Sequence, residues 1–147
     1  MLRRLGRSDK GAELIEMALV TPILLLLVMG IVDFGFMFQR YVVLTNAAVE
    51  GARVATMPGY SDADARARVT EYATNGGILG VVTPVVTPVV LPGAGGGNWP
   101  GRQVTVTHVY TMQYLAPLAA LVGGTMAANV TLTAQSTMRL QVAGGGP

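Results

Sequence analysis

Residues 10–22 read KGAELIEMALVTP, and the placement of charge in this stretch decides how the rest of the chain is read. Ahead of it lies a short basic head with Arg3, Arg4 and Arg7, closed by Lys10 just before Gly11. Four residues of mixed character follow, then Glu16, then the apolar run MALVTPILLLLVMGIV. A carboxylate carried to the centre of a bilayer costs roughly 2.5–3.5 kcal/mol on insertion scales. An ordinary anchor has no reason to put one at the mouth of its helix, so Glu16 calls for a role beyond anchoring.

The apolar run itself reads as a membrane span. Residues 17–38 form a stretch of 22 whose one charge is Asp33. As a helix it extends about 33 Å at about 1.5 Å per residue, enough for a hydrocarbon core of about 30 Å. Asp33 then either marks the far boundary or makes a polar contact with a partner helix. Pro22 removes a backbone donor one and a half turns after Glu16, and a local kink is expected there. Four basic residues precede the span and only Arg40 and Arg53 soon follow it, so the positive-inside rule puts the amino terminus in the cytoplasm. A cleaved secretory signal fits the basic head, but the apolar run is long for one and no clean small-x-small site follows.

Composition agrees with a chain that is part membrane. Of 147 residues, 51% are hydrophobic and 12% charged, far from the balance of a soluble domain. The net charge of +2 is local: the first eleven residues carry +3, leaving six basic and seven acidic residues beyond them. No basic patch is left for nucleic acid, which is not an expected partner. There is no cysteine, so disulfides and thiolate metal sites are excluded and any external fold holds by packing and strand pairing.

Past Arg40 the helix is expected to continue, because Tyr41, Leu44, Ala48, Ala52 and Ala55 form one apolar stripe that ends at Met57-Pro58-Gly59. Ser61 with Asp64 three residues on has the capping-box spacing. A second helix of about fourteen residues follows to Thr74, with Ala65, Val69, Tyr72 and Ala73 inward. Then the period drops to two. Val104, Val106, His108, Tyr110, Met112 and Tyr114 alternate with polar neighbours, as do Val130, Leu132, Ala134, Ser136, Met138 and Leu140. Both segments read as half-buried strands that pair. The run LAPLAALVGG between them is a short helix or a hydrophobic lip. In VVTPVVTPVVLP (81–92), proline at every fourth residue forbids a central strand and leaves an edge strand or extended arm.

No catalytic constellation emerges. His108 is the one histidine, on the inward register of a strand, and one ligand cannot build a metal site. The serines lie in the leader, at a helix cap and on a strand, so no triad forms around His108. The glycines of 93–97 lack the lysine and the strand–loop–helix setting of a phosphate cradle. Neither an enzyme nor a bound cofactor is expected.

The spacing of a basic leader, Gly11 and Glu16 five residues later resembles that of type IV prepilins. The wider pattern is more specific. Gly11-Ala12, the run from Glu16 to Pro22 (EMALVTP), Gly30-Ile31, Asp33-Phe34-Gly35 and the run from Asn46 to Arg53 (NAAVEGAR) occur in order. Together they resemble the TadE family, minor pilin-like proteins of tight-adherence (Flp-type) pilus systems. Met17 departs where an aromatic is usual, and Val49 where arginine is common.

The resemblance implies a cut between Gly11 and Ala12 by a prepilin peptidase. It also implies association in the bacterial inner membrane with other pilin-like subunits and an assembly platform, with Glu16 setting register against a neighbour. Gly35, Asn46, Glu50, Gly51 and Arg53 carry over as family-motif residues. The expected organisation is a basic leader (1–11), a membrane helix (12–38) and an extracytoplasmic α+β domain (39–147). That domain would hold a second helix, a small antiparallel sheet, a glycine loop (93–97) and a flexible tail (143–147). The alternative is a membrane-anchored extracytoplasmic domain whose signal anchor stays uncut.

Overall fold

A computed structural model describes residues 9–93 and 96–141, with side chains from Gly11 onward. The leader arginines, the middle of the 93–97 loop and the 143–147 tail lie outside the described residues. In chain order the elements are α1 (Asp9–Ala55), α2 (Asp62–Asn75), β1 (Val82–Pro92), β2 (Asn98–Thr111), α3 (Leu115–Leu121) and β3 (Asn129–Arg139). This is an α+β fold: a long apolar amino-terminal helix, a second helix and a three-stranded antiparallel sheet in the order β1-β2-β3. The chain divides into two compact units, one of residues up to Gly35 together with Met112–Ala128, the other of Phe36–Thr111 together with residues from Asn129 on.

In the second unit, the later part of α1 turns Leu44, Ala47, Ala48, Ala52, Val54 and Ala55 inward, while Tyr41, at the head of the expected stripe, is exposed. The helix stops where Thr56 folds its hydroxyl back onto the Ala52 carbonyl at 3.0 Å, just before Pro58 and the left-handed Gly59. The capping box of α2 is formed as the sequence predicts. Ser61 Oγ accepts from the Asp64 N–H at 3.2 Å, and Asp64 Oδ2 accepts from the Ser61 N–H at 2.8 Å. Ala65, Val69 and Ala73 are its buried stripe. From the sheet, Val104, Val106, His108 and Tyr110 of β2 and Leu132 and Ala134 of β3 supply the facing layer.

The sequence placed the start of β2 near Val104, but the strand begins at Asn98, paired to Pro92 in register with β1. Pro100 and Gly101 interrupt the alternation there, so the period of two is invisible although the pairing is unbroken. At the other end Met112 and Tyr114 are not strand residues: β2 stops at Thr111 and Tyr114 becomes the N-cap position of α3.

The proline repeat has a geometric meaning. Gly93 N–H donates to the Gly97 carbonyl at 2.6 Å, and Leu140 N–H to the Pro100 carbonyl at 2.9 Å. Extending these two registers, odd positions of β1 bond to β2, and even positions of β1 turn their backbone groups to the open edge. Pro84, Pro88 and Pro92 are all even. The missing N–H groups therefore fall on the side where no strand pairs, and the edge is blunted against strand addition.

His108 is buried, and its Nδ1 donates to the Val81 carbonyl at 3.1 Å. That hydrogen bond holds the ring in the core layer.

Candidate assembly site

All the residues singled out for processing and assembly lie on α1. Gly11 and Ala12 sit in its first turns, so the backbone is helical across the bond that a peptidase would cut. Around them the helix presents apolar side chains outward: Leu14, Ile15, Met17 and Leu19 are each at least 65% exposed. The exposure continues through Ile23, Leu27, Ile31 and Phe38. A surface of this kind is not one that a helix keeps in water. By length and composition α1 is able to cross a membrane, and it runs on through Pro22 without a break.

Glu16 is exposed at the start of this apolar surface and has no hydrogen-bond or ion-pair partner among the described residues. It lines a shallow concavity with Glu13, Met17 and Val20. Glu13 was not singled out from the sequence, although its i, i+3 spacing from Glu16 was the signal that put both carboxylates on one face.

Asp33 is 1% exposed. Its Oδ1 accepts from the Gln113 N–H at 3.1 Å, and its Oδ2 accepts from the N–H groups of Tyr114 at 3.1 Å and Leu115 at 2.6 Å. It thereby satisfies donors at the start of α3 that have no carbonyl four residues back. The sequence left open a boundary residue or a contact with a partner helix. The polar contact exists, but it is made inside the chain.

The family-motif residues separate into two groups. Gly35 and Asn46 are exposed. Glu50 and Gly51 join α1 to α2, and Arg53 braces Glu50 from within α1. Arg53 grips Glu50 through both arms of its guanidinium, Nε to Oε2 at 2.8 Å and Nη2 to Oε1 at 2.7 Å. Arg68 of α2 reaches the same Oε1 at 3.3 Å while holding Glu71 at 3.0 Å. The two guanidinium groups, Arg53 above all, lower the Glu50 carboxyl from an ordinary 4.5 to about 2, although partial burial pushes the other way. Gly51 is buried, and a Cβ there would overlap Cγ2 of Val69 on α2. Glycine is needed for the two helices to approach this closely.

Residues 11–53 match the family model described as TadE-like protein. The match spans the residues, from Gly11 to Arg53, on which the sequence resemblance rested, and it stops before α2. No curated protein and no solved structure matches the chain.

Proposed function

We propose that this chain, TadE-like over residues 11–53, is a single-pass inner-membrane protein that acts without catalysis as a minor pilin-like component in assembly of a tight-adherence pilus or a related secretion apparatus. The observation that carries the reading is Glu16: an exposed carboxylate, unpartnered among the described residues, at the head of an exposed apolar helix and inside the matched segment. Removal of residues 1–11 would create an α-amine on Ala12, one helical turn before Glu16. In a layer of low dielectric an amine and a carboxylate gain far more from pairing than in water, and each is costly when left alone. Glu16 pairs with the Ala12 amine of a neighbouring subunit and fixes its axial register. Glu13 lies on the same face and, near the positive end of the shortened helix, adds negative charge where it is favourable.

Glu16→Gln tests the pairing because it keeps the side chain's shape and deletes its charge. The variant is expected to insert and to lose its leader as the parent does, but to lose crosslinks to pilin-like partners and to lower surface assembly. Unchanged crosslinking and assembly would reduce Glu16 to an interfacial residue.

One observation favours the second reading, an uncut membrane anchor carrying an external binding domain. The backbone is helical on both sides of Gly11, and a peptidase needs that turn opened. Glycine disfavours a helix interior by about 1 kcal/mol relative to alanine, which makes this turn one of the easiest in α1 to unwind. The mass of the membrane-extracted protein separates the two readings.

A further inference from the structure

Met112–Ala128 is a stretch of 17 residues with no charged side chain, set between two strands. It does not close over its own apolar groups. Leu121 is 81% exposed, Met126 50% and Val122 48%. In a loop surrounded by water, that exposure would forgo about 25 cal/mol for each Å² of apolar surface left uncovered.

Three attachments tie it to the apolar part of α1. Asp33 takes the three N–H groups at its head. Leu115 is buried against Gly30, where its methyl groups lie 3.8 and 3.9 Å from the position a Cβ would occupy. Leu25 and Met29 share an apolar hollow with Tyr114, Pro117, Leu118 and Leu121. From Asp33 back to Leu25 is eight residues, about 12 Å along a helix axis.

We propose that Met112–Ala128 is a second membrane contact of this protein, a helix-and-turn lip lying in the outer leaflet beside α1, with lipid acyl chains covering Leu121, Val122 and Met126. The inference rests on the reading of α1 as the membrane span. Given that reading, the occupant follows from continuity: the lip is packed on Leu25 and Met29, so it lies at their depth and meets the same surroundings. A reach of about 12 Å stays within one half of a core about 30 Å thick.

Main-chain groups at both ends of α3 find partners inside the protein, as lipid surroundings require. Polar main-chain groups at membrane depth must find partners within the protein. At the head of α3, Asp33 supplies them. At its tail, Gly124 N–H donates to the Ala119 carbonyl at 2.8 Å and Gly123 N–H to the Ala120 carbonyl at 3.2 Å, a Schellman closure with Gly123 at a φ of 81°. At the two ends of the lip, Met112 N–H donates to the Ala128 carbonyl at 2.7 Å and seals its neck. Tyr114 ties its N–H to Asp33 and lines the hollow with Leu25 and Met29, joining the head of the lip to the apolar part of α1.

The absence of cysteine allows single-cysteine variants of the full chain. Leu121→Cys, Leu27→Cys and Thr131→Cys would each be labelled with nitrobenzoxadiazole and reconstituted into phosphatidylcholine–phosphatidylglycerol vesicles at high lipid-to-protein ratio. Some of the lipid would carry a nitroxide on its acyl chain. The label at 121 is expected to emit to the blue and to be quenched by the lipid nitroxide about as strongly as the label at 27. The label at 131, on an exposed strand position, is expected to respond to aqueous iodide instead. If 121 behaves like 131 while 27 is quenched by lipid, the lip is overturned and the span stands. If 121 is shielded from both quenchers, a protein surface covers it and the lipid assignment is overturned. If 27 also escapes the lipid nitroxide, the span reading fails and the lip falls with it.

Discussion

Gly51→Ala is the substitution whose cost can be worked most fully from the packing between α1 and α2. The added methyl would overlap Val69 Cγ2. Val69 is fully buried and β-branched, so it has little rotamer freedom with which to yield. Nor is there room elsewhere: the same Cβ lies 3.4 Å from Val104 Cγ1 and 3.5 Å from the Ala65 carbonyl oxygen. Overpacking of this kind costs about 1–3 kcal/mol, while alanine returns up to about 1 kcal/mol of helix propensity. With the propensity gain fully realised, the net expectation is a loss of about 0–2 kcal/mol. Val69→Ala alone removes two buried methyl groups and costs about 1.6 kcal/mol at about 0.8 per methylene. In the double variant the alanine methyl at 51 occupies space that Cγ2 vacates, so the losses should not add. A coupling of about 1 kcal/mol or more in favour of the double variant is expected. Urea titration of the full chain in mild detergent, followed by the single tryptophan, Trp99, reads all four stabilities. Additivity to within about 0.5 kcal/mol, or a Gly51→Ala protein more stable than its parent, would refute the close-approach argument.

Two further perturbations probe the same unit. Glu50 is held at about 2 against an ordinary 4.5, so its contribution is present above about pH 4.5 and drains away as pH falls toward 2. The urea midpoint of the parent should drop across that window more steeply than that of Glu50→Gln, and parallel curves would remove Glu50 from the account. Replacing Pro84 and Pro88 together by threonine adds two N–H donors to the open edge of β1. Higher-order species should then appear in size-exclusion chromatography of the solubilised chain, and an unchanged elution would show that the prolines do not guard the edge.

The parts of the fold that were legible in the sequence are the local ones. The Ser61–Asp64 box spans three residues, and the alternation from Val104 to Tyr110 needs no partner to be seen. The VVTP repeat ruled out a central strand through its prolines and left an edge strand or an extended arm, and pairing with β2 makes it the edge strand. What stayed hidden depends on distant chain. Asp33 meets donors 80 to 82 residues away, and nothing near it in sequence says so. LAPLAALVGG could be narrowed to a short helix or a lip, and it has the character of both, but its support at Leu25, Met29 and Gly30 has no local signature. Gly51 stood out as a motif residue. Its physical reason, the approach of Val69, needed α2 in place. For the candidate assembly site, Glu16 stands out in the sequence because a charge in an apolar setting is conspicuous. Glu13 escaped notice because it lies three residues from Lys10, close to the charged head, where a carboxylate is ordinary.

The central claim is that a processing signal and a membrane span share one helix, and the amino-terminal sequence of the protein recovered from membranes tests it most directly. In cells with an active prepilin peptidase the account predicts a chain beginning at Ala12, and a Gly11→Val variant that keeps its leader because a branched side chain crowds a site shaped for glycine. A parent protein that still begins at Met1 in those cells would contradict the account and leave an uncut anchor in its place.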